Sequence, residues 1–101
     1  MFYEAFDDVG RRSIGLASSM DGLKDWERHP EPILQASENP DAWDSGEVGA
    51  PYVVSMAAGK WRLYYAGKQD VQSAWSGFGV ALSVNQQDAL ALPTTFRRRV
   101  R

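Results

Sequence analysis

The chain contains no cysteine and a single histidine, His29. A disulfide framework, a thiolate metal site, a cysteine nucleophile and a multi-histidine metal centre are therefore excluded, and no metal or redox cofactor is expected. Long hydrophobic runs are also missing. None approaches the ~20 residues that span a bilayer, and Met1-Phe2-Tyr3-Glu4 supplies neither the basic leader nor the apolar core of a signal peptide. No membrane partner follows from this pattern. An excess of charge of one sign is absent too, because 11 Lys and Arg stand against 13 Asp and Glu, for a net charge of −2. No basic face for nucleic acid is expected: the one cationic run, Arg97-Arg98-Arg99-Val100-Arg101, reads as a solvated end. Arg11 and Arg12, after Gly10, read as solvated turn residues in the same way.

What the sequence does contain is apolar and aromatic. Of its 101 residues 44% are hydrophobic, with four each of Trp, Tyr and Phe. This is the composition of one globular unit. Runs rich in β-branched and aromatic residues (13–19, 48–56, 61–67 and 78–84) alternate with clusters of Gly, Asp, Asn, Ser and Pro, the pattern of strands joined by turns. A further strand is expected near 96–100. Helical periodicity is confined to one possible turn, Gln86 to Leu92, ended by Pro93. The expected fold class is all-β, with antiparallel strands.

The chain also repeats. Tyr3-Glu4-Ala5 matches Tyr65-Ala66-Gly67, and Ile14-Gly15-Leu16-Ala17 matches Phe78-Gly79-Val80-Ala81. Carried onward, the second match pairs Ser19, Asp21 and Trp26 with Ser83, Asn85 and Leu90. Because large apolar residues alternate with Gly or Ala in these runs, both faces of each sheet are expected to meet a neighbour. That implies stacked sheets such as propeller blades, one repeat over 1–40 and the other over 48–101. The second repeat has an inner strand at 48–56, whereas the first opens in what would be its second strand. An open apolar edge results, and the chain reads as a partial propeller of about one and a half blades, a fragment whose missing blades belong to the same longer chain.

Three segments carry candidate chemistry. In Ser19-Met20-Asp21-Gly22-Leu23-Lys24-Asp25-Trp26, Asp-Gly favours a tight hairpin turn with Trp26 packed beneath it, and Asp21 reads as a turn former. Trp43-Asp44-Ser45-Gly46-Glu47 places two carboxylates beside an aromatic ring at the entry to the inner strand, where loops converge. Glycoside hydrolysis uses opposed Asp and Glu groups, and aromatic faces hold sugar rings. Asp44 and Glu47 are thus the candidate catalytic residues, Glu47 for proton donation and Asp44 for orientation. Trp43, Glu4 and Trp75 are the candidate saccharide-binding residues.

These residues resemble a known group. Phe2-Tyr3-Glu4-Ala5, Ser13 to Gly22, Trp26, Pro32-Ile33-Leu34, Trp43-Asp44, Gly49 to Val54, Gly59 to Gly67 and Gly79 to Ser83 look like the blade pattern of five-bladed β-propeller glycosidases. This is the arabinanase, levansucrase and invertase superfamily, which includes glycoside hydrolase families 43 and 32. The resemblance implies an active site on the propeller axis, with three acidic residues from different blades. This chain carries neither an Asn-Asp-Pro-Asn nor an Arg-Asp-Pro stretch, so the carry-over is confined to Asp44 and Glu47. The expected function is a glycosidase-like propeller acting on or binding oligo- or polysaccharide, with the fragment alone inactive. The alternatives are a propeller that binds carbohydrate or protein without catalysis and a truncated gene product without independent activity.

Overall fold

The computed structural model describes residues 1–6, 11–70, 75, 77–84 and 96–99. Seven strands appear, and the only helix among these residues is the single 3-10 turn Ala57–Gly59. The fold is all-β. Strands β1 (Phe2–Phe6), β2 (Arg12–Ser18) and β3 (Glu27–Arg28) form one antiparallel sheet in that order. Strands β4 (Glu47–Ser55), β5 (Trp61–Lys68), β6 (Gly77–Ser83) and β7 (Phe96–Arg98) form a second, again in sequence order. The possible helical turn 86–92, and the repeat positions Asn85 and Leu90, lie outside the described residues.

The matching segments pair in the same register. Tyr3 stands opposite Gly15 as Tyr65 stands opposite Gly79, Glu4 opposite Ile14 as Ala66 opposite Phe78, and Phe2 opposite Leu16 as Tyr64 opposite Val80. In each hairpin the tyrosine ring lies over the glycine. A Cβ on Gly15 would come within 2.7 Å of the Tyr3 ring, and one on Gly79 within 2.8 Å of Tyr65 and Trp43. Glycine is required there because a ring occupies the space a side chain would fill. The third strands correspond through Arg28 opposite Ala17 and Arg98 opposite Ala81. Ser19 to Trp26 is therefore matched by a longer connection, and the fixed spacing carried onward in the sequence does not hold beyond β6.

The second sheet has β4 outside β5, whereas β1 is the edge of the first sheet. Strand β4 packs on both β1 and β2. Its register shifts between Gly49 and Tyr52, where Ala50 takes a left-handed φ of 49° and Pro51 has no N–H to give. A bulge is the place in a strand where both are tolerated.

Side-chain alternation divides the second sheet into an inner face and an outer one. The inner face carries Leu63, Tyr65, Ala81 and Phe96, all buried, with Val48. These pack with Ile14, Leu16, Ile33 and Leu34, and Phe2 meets Phe96 edge-on at 6.1 Å between ring centroids. The outer face carries Tyr52, Val54, Tyr64, Phe78 and Leu82, all exposed; Phe78 is 82% accessible. The same outer parity also holds Glu47, Ala66 and Lys68, which are buried near Arg12 and Glu4 of the first sheet, so among the described residues the expectation that both faces meet a neighbour is met on the inner face and at one end of the outer face.

Candidate functional site

The lead-in to β4 is fixed by its own polar groups. The Asp41 and Ala42 N–H groups donate to the Asn39 side chain and carbonyl, Ser37 N–H to the Asp44 carbonyl, and Gly46 N–H to the Lys68 carbonyl. Gly46 and Gly67 make room for this loop. A Cβ on Gly46 would meet the Gln69 carbonyl at 2.6 Å, and one on Gly67 would meet the Asp44 Cβ at 2.8 Å. The loop is pressed onto the β5 backbone, and this drives Asp44 inward.

Asp44 is 2% exposed. Its Oδ2 accepts from the Tyr65 hydroxyl at 2.8 Å and from Arg98 Nε at 2.7 Å, while Arg98 also donates to the Gln35 carbonyl. A buried carboxylate is retained at modest cost when it is paired and hydrogen-bonded in this way. Trp43 stacks on Tyr65 at 5.7 Å and 15° between planes. Burial, followed by the hydrogen bond to Asp44 and its negative charge, pushes the Tyr65 hydroxyl up to about 12, and the Arg98 cation only partly opposes this. Beside this cluster opens a cleft of about 1080 Å³, lined by Ser37, Asn39, Trp43, Asp44, Arg98 and Arg99, with Tyr64, Phe78 and Val80 on its outer wall.

A second cluster gathers Glu47, Glu4 and Trp75. Glu47 is buried; its Oε1 lies 2.9 Å from Lys68 Nζ, and its Oε2 accepts the Arg12 N–H at 2.8 Å. Burial works against its charged form, but the Arg12 N–H, the Lys68 ammonium and the Arg12 charge together outweigh it. Glu47 therefore titrates below the usual carboxylate range. Glu4 Oε2 accepts the Ala50 N–H at 2.6 Å, holding the bulge, and Glu4 Oε1 is 4.0 Å from the Arg12 guanidinium. Trp75 carries Lys68 Nζ 4.9 Å and the Arg12 guanidinium 5.5 Å from its ring centre. Arg12 is thus not a solvated turn residue. It opens β2 and bridges Glu4, Glu47, Phe6 and Trp75.

The five candidate residues fall into these two groups, Trp43 with Asp44 and Glu4 with Glu47 and Trp75. Strand parity sets Glu47, paired with Lys68, on the outer-face side, while Asp44 lies against Gly67 on the inner side. The two carboxylates share no partner among the contacts above. Comparison with known proteins finds no matching family model, no matching curated protein and no matching solved structure.

Arg98, Tyr65, Arg12 and Lys68 complete the clusters, and no local motif in the sequence marks them as site residues. The cationic run near the end is only partly solvated, since Arg98 is spent on Asp44 and Gln35 while Arg97 and Arg99 remain exposed. Its signal was Arg98 falling on the same strand parity as Phe96. Asp21 is a turn former: its Oδ1 accepts the Leu23 and Lys24 N–H groups and the Ser19 hydroxyl, and these bonds lower its pKa. The turn spans 19–26 with Gly22 at φ 75°, longer than a tight hairpin, and Trp26 stays 42% exposed. Among the described residues no group of His, Cys, Asp and Glu is placed to hold a metal ion.

Proposed function

We propose that the chain is a saccharide-binding unit of stacked β-sheets, built on the plan of the five-bladed propellers of the arabinanase, levansucrase and invertase superfamily. The observation that carries this reading is the cleft beside Asp44. One aromatic side, Trp43, stands against the polar groups of Ser37, Asn39, Arg98 and Arg99, over a floor whose buried charge is already balanced. Sugars ask for this combination of an apolar ring face and convergent hydrogen-bonding groups. The stacking plan is supported by the shared register of the two hairpins. In a complete propeller, further sheets of the same kind from a longer chain would cover the outer faces.

Binding is favoured over hydrolysis by the state of the carboxylates. A general acid needs a raised pKa, and Glu47 is shifted the other way. Asp44 is buried, and its Oδ2 is engaged by both Arg98 and Tyr65. Titrating arabino-, fructo- and manno-oligosaccharides into the full chain while following tryptophan fluorescence tests the reading. Expected is a Kd on the order of 1 mM, about −4 kcal/mol, lost in Trp43→Ala and kept in Trp26→Ala, with no reducing sugar released. Absence of binding by all three classes, or binding indifferent to Trp43→Ala, would refute it.

A further inference from the structure

The cleft beside Asp44 holds a positive charge that the fold leaves unmatched. Asp44 is the single acid among its lining residues, which also include two cations, Arg98 and Arg99. Arg98 Nε already meets Asp44 at 2.7 Å, so one cation is left over. Arg99 is exposed; its backbone N–H goes to the Val80 carbonyl, and its guanidinium has no acceptor among the described residues. Arg98 keeps capacity as well, because its Nε and Nη2 are taken by Asp44 and the Gln35 carbonyl, which leaves Nη1 to donate. Neighbours on a strand point to opposite faces. Both arginines nonetheless reach this cleft, because it opens along the edge of β6 from Gly77 to Val80, beyond the ladder that β7 makes with Ala81 to Ser83. The aromatic wall is seated on glycine: a Cβ on Gly67 or Gly79 would come within 2.8 Å of the Trp43 ring, and one on Gly77 within 3.3 Å. One face of the ring thus lies against the backbone of β5 and β6, and Trp43 stays 38% exposed in the same cleft as the spare cation.

We infer that the cleft selects a saccharide that bears a carboxylate, a uronic acid, with its ring on Trp43 and its carboxylate on the Arg99 guanidinium and Arg98 Nη1. A planar carboxylate matches the guanidinium fork, which presents parallel N–H donors to its oxygens. A neutral sugar would use the ring and the polar groups of Ser37 and Asn39 but leave the spare charge unanswered. The chain as a whole has a net charge of −2, so its overall field repels an anion and the selectivity belongs to the cleft itself. The inference rests on the saccharide-binding reading above and deepens it by naming the class of sugar.

Tryptophan fluorescence titrations of the full chain with trigalacturonate and with its methyl ester test it, since the ester keeps the sugar and removes the charge. Expected in low-salt buffer at neutral pH is binding of the acid about tenfold tighter than the ester. That ratio should fall below about threefold in Arg99→Gln. It should be kept in Arg97→Gln, which removes the same charge from an exposed position outside the cleft lining. Equal affinity for acid and ester, an acid preference that survives Arg99→Gln, or a preference lost equally in Arg97→Gln would each overturn the inference. So would acetate that competes as well as the sugar acid, because the ring on Trp43 would then contribute nothing. Neutral sugars bound through Trp43 with no preference for the acid would overturn this inference alone and leave the saccharide reading in place. Failure of every saccharide to bind, acid and neutral, would remove that reading itself and this inference with it.

Discussion

Removing the Arg98 side chain, as in Arg98→Met, strands the Asp44 carboxylate. Asp44 is 2% exposed and would keep only the Tyr65 hydroxyl as a donor among the partners described. Breaking a buried ion pair from one side costs about 3–5 kcal/mol. The Arg98 side chain is itself 32% exposed, so solvent already screens part of the attraction and the loss falls below that range, to about 2–3 kcal/mol. Asp44→Asn costs less, about 1–2 kcal/mol, because Arg98 retains the Gln35 carbonyl and access to water. The double variant leaves neither charge unpaired, so its loss should fall short of the sum by about 1–2 kcal/mol. Urea unfolding followed by tryptophan fluorescence measures all three. With total stability on the order of 5–10 kcal/mol for a chain of this size, the single change moves the midpoint by roughly two to six tenths of its whole value, about 1–1.5 M at a urea slope of about 2 kcal/mol/M. If Arg98→Met costs under about 0.5 kcal/mol, or if the two losses simply add, the pair does not hold the β4 lead-in and the account of the cleft floor fails.

Three further outcomes follow from the same geometry. Glu47 has its pKa lowered in the fold, so it adds stability above the unfolded carboxylate pKa of about 4.3 that is lost as pH falls through the depressed value; Glu47→Gln should cost about 3 kcal/mol at pH 7 and flatten the acid limb of a stability-against-pH curve. Tyr65, raised from 10.0 to about 12, keeps its contribution below pH 10 and loses roughly 2–3 kcal/mol as pH rises through 12, a fall that alkaline unfolding of Tyr65→Phe should not show. Ala50→Gly relieves the left-handed φ of 49° and should raise stability by about 0.5–1 kcal/mol, read as a higher melting temperature.

Local pattern made the strands legible. Alternation in 61–67 and 78–84 placed β5 and β6 within a residue of their observed bounds, and the Tyr-to-Gly matches anticipated a shared cross-strand register. Asp44 and Glu47 stand out in the sequence as two carboxylates beside Trp43 at the entry to a strand rich in β-branched and aromatic residues. Their partners were hidden for a physical reason. Arg98 reaches Asp44 across 54 residues and Arg12 reaches Glu47 across 35, so neither pairing leaves a periodicity in the sequence. Charged residues followed by more charges look solvated until a second sheet comes near. The Trp75 ring likewise gains its two cations only when β5 and β2 are brought to the same end of the molecule.

The Asp44–Arg98 contact also bears on the order of folding. It joins the loop that leads into the first strand of the second sheet to the last strand of that sheet, so it acts as a clasp that closes after β4, β5 and β6 have paired. Contacts of such long sequence separation are slow to form, because the intervening loop entropy is lost first. A clasp absent from the transition state leaves the folding rate unchanged when it is cut and speeds unfolding by the full loss. Arg98→Met should therefore shift only the unfolding arm of the chevron, by roughly 30- to 160-fold for about 2–3 kcal/mol. The pair sets how long the second sheet stays assembled, while the paired strands set how quickly it forms.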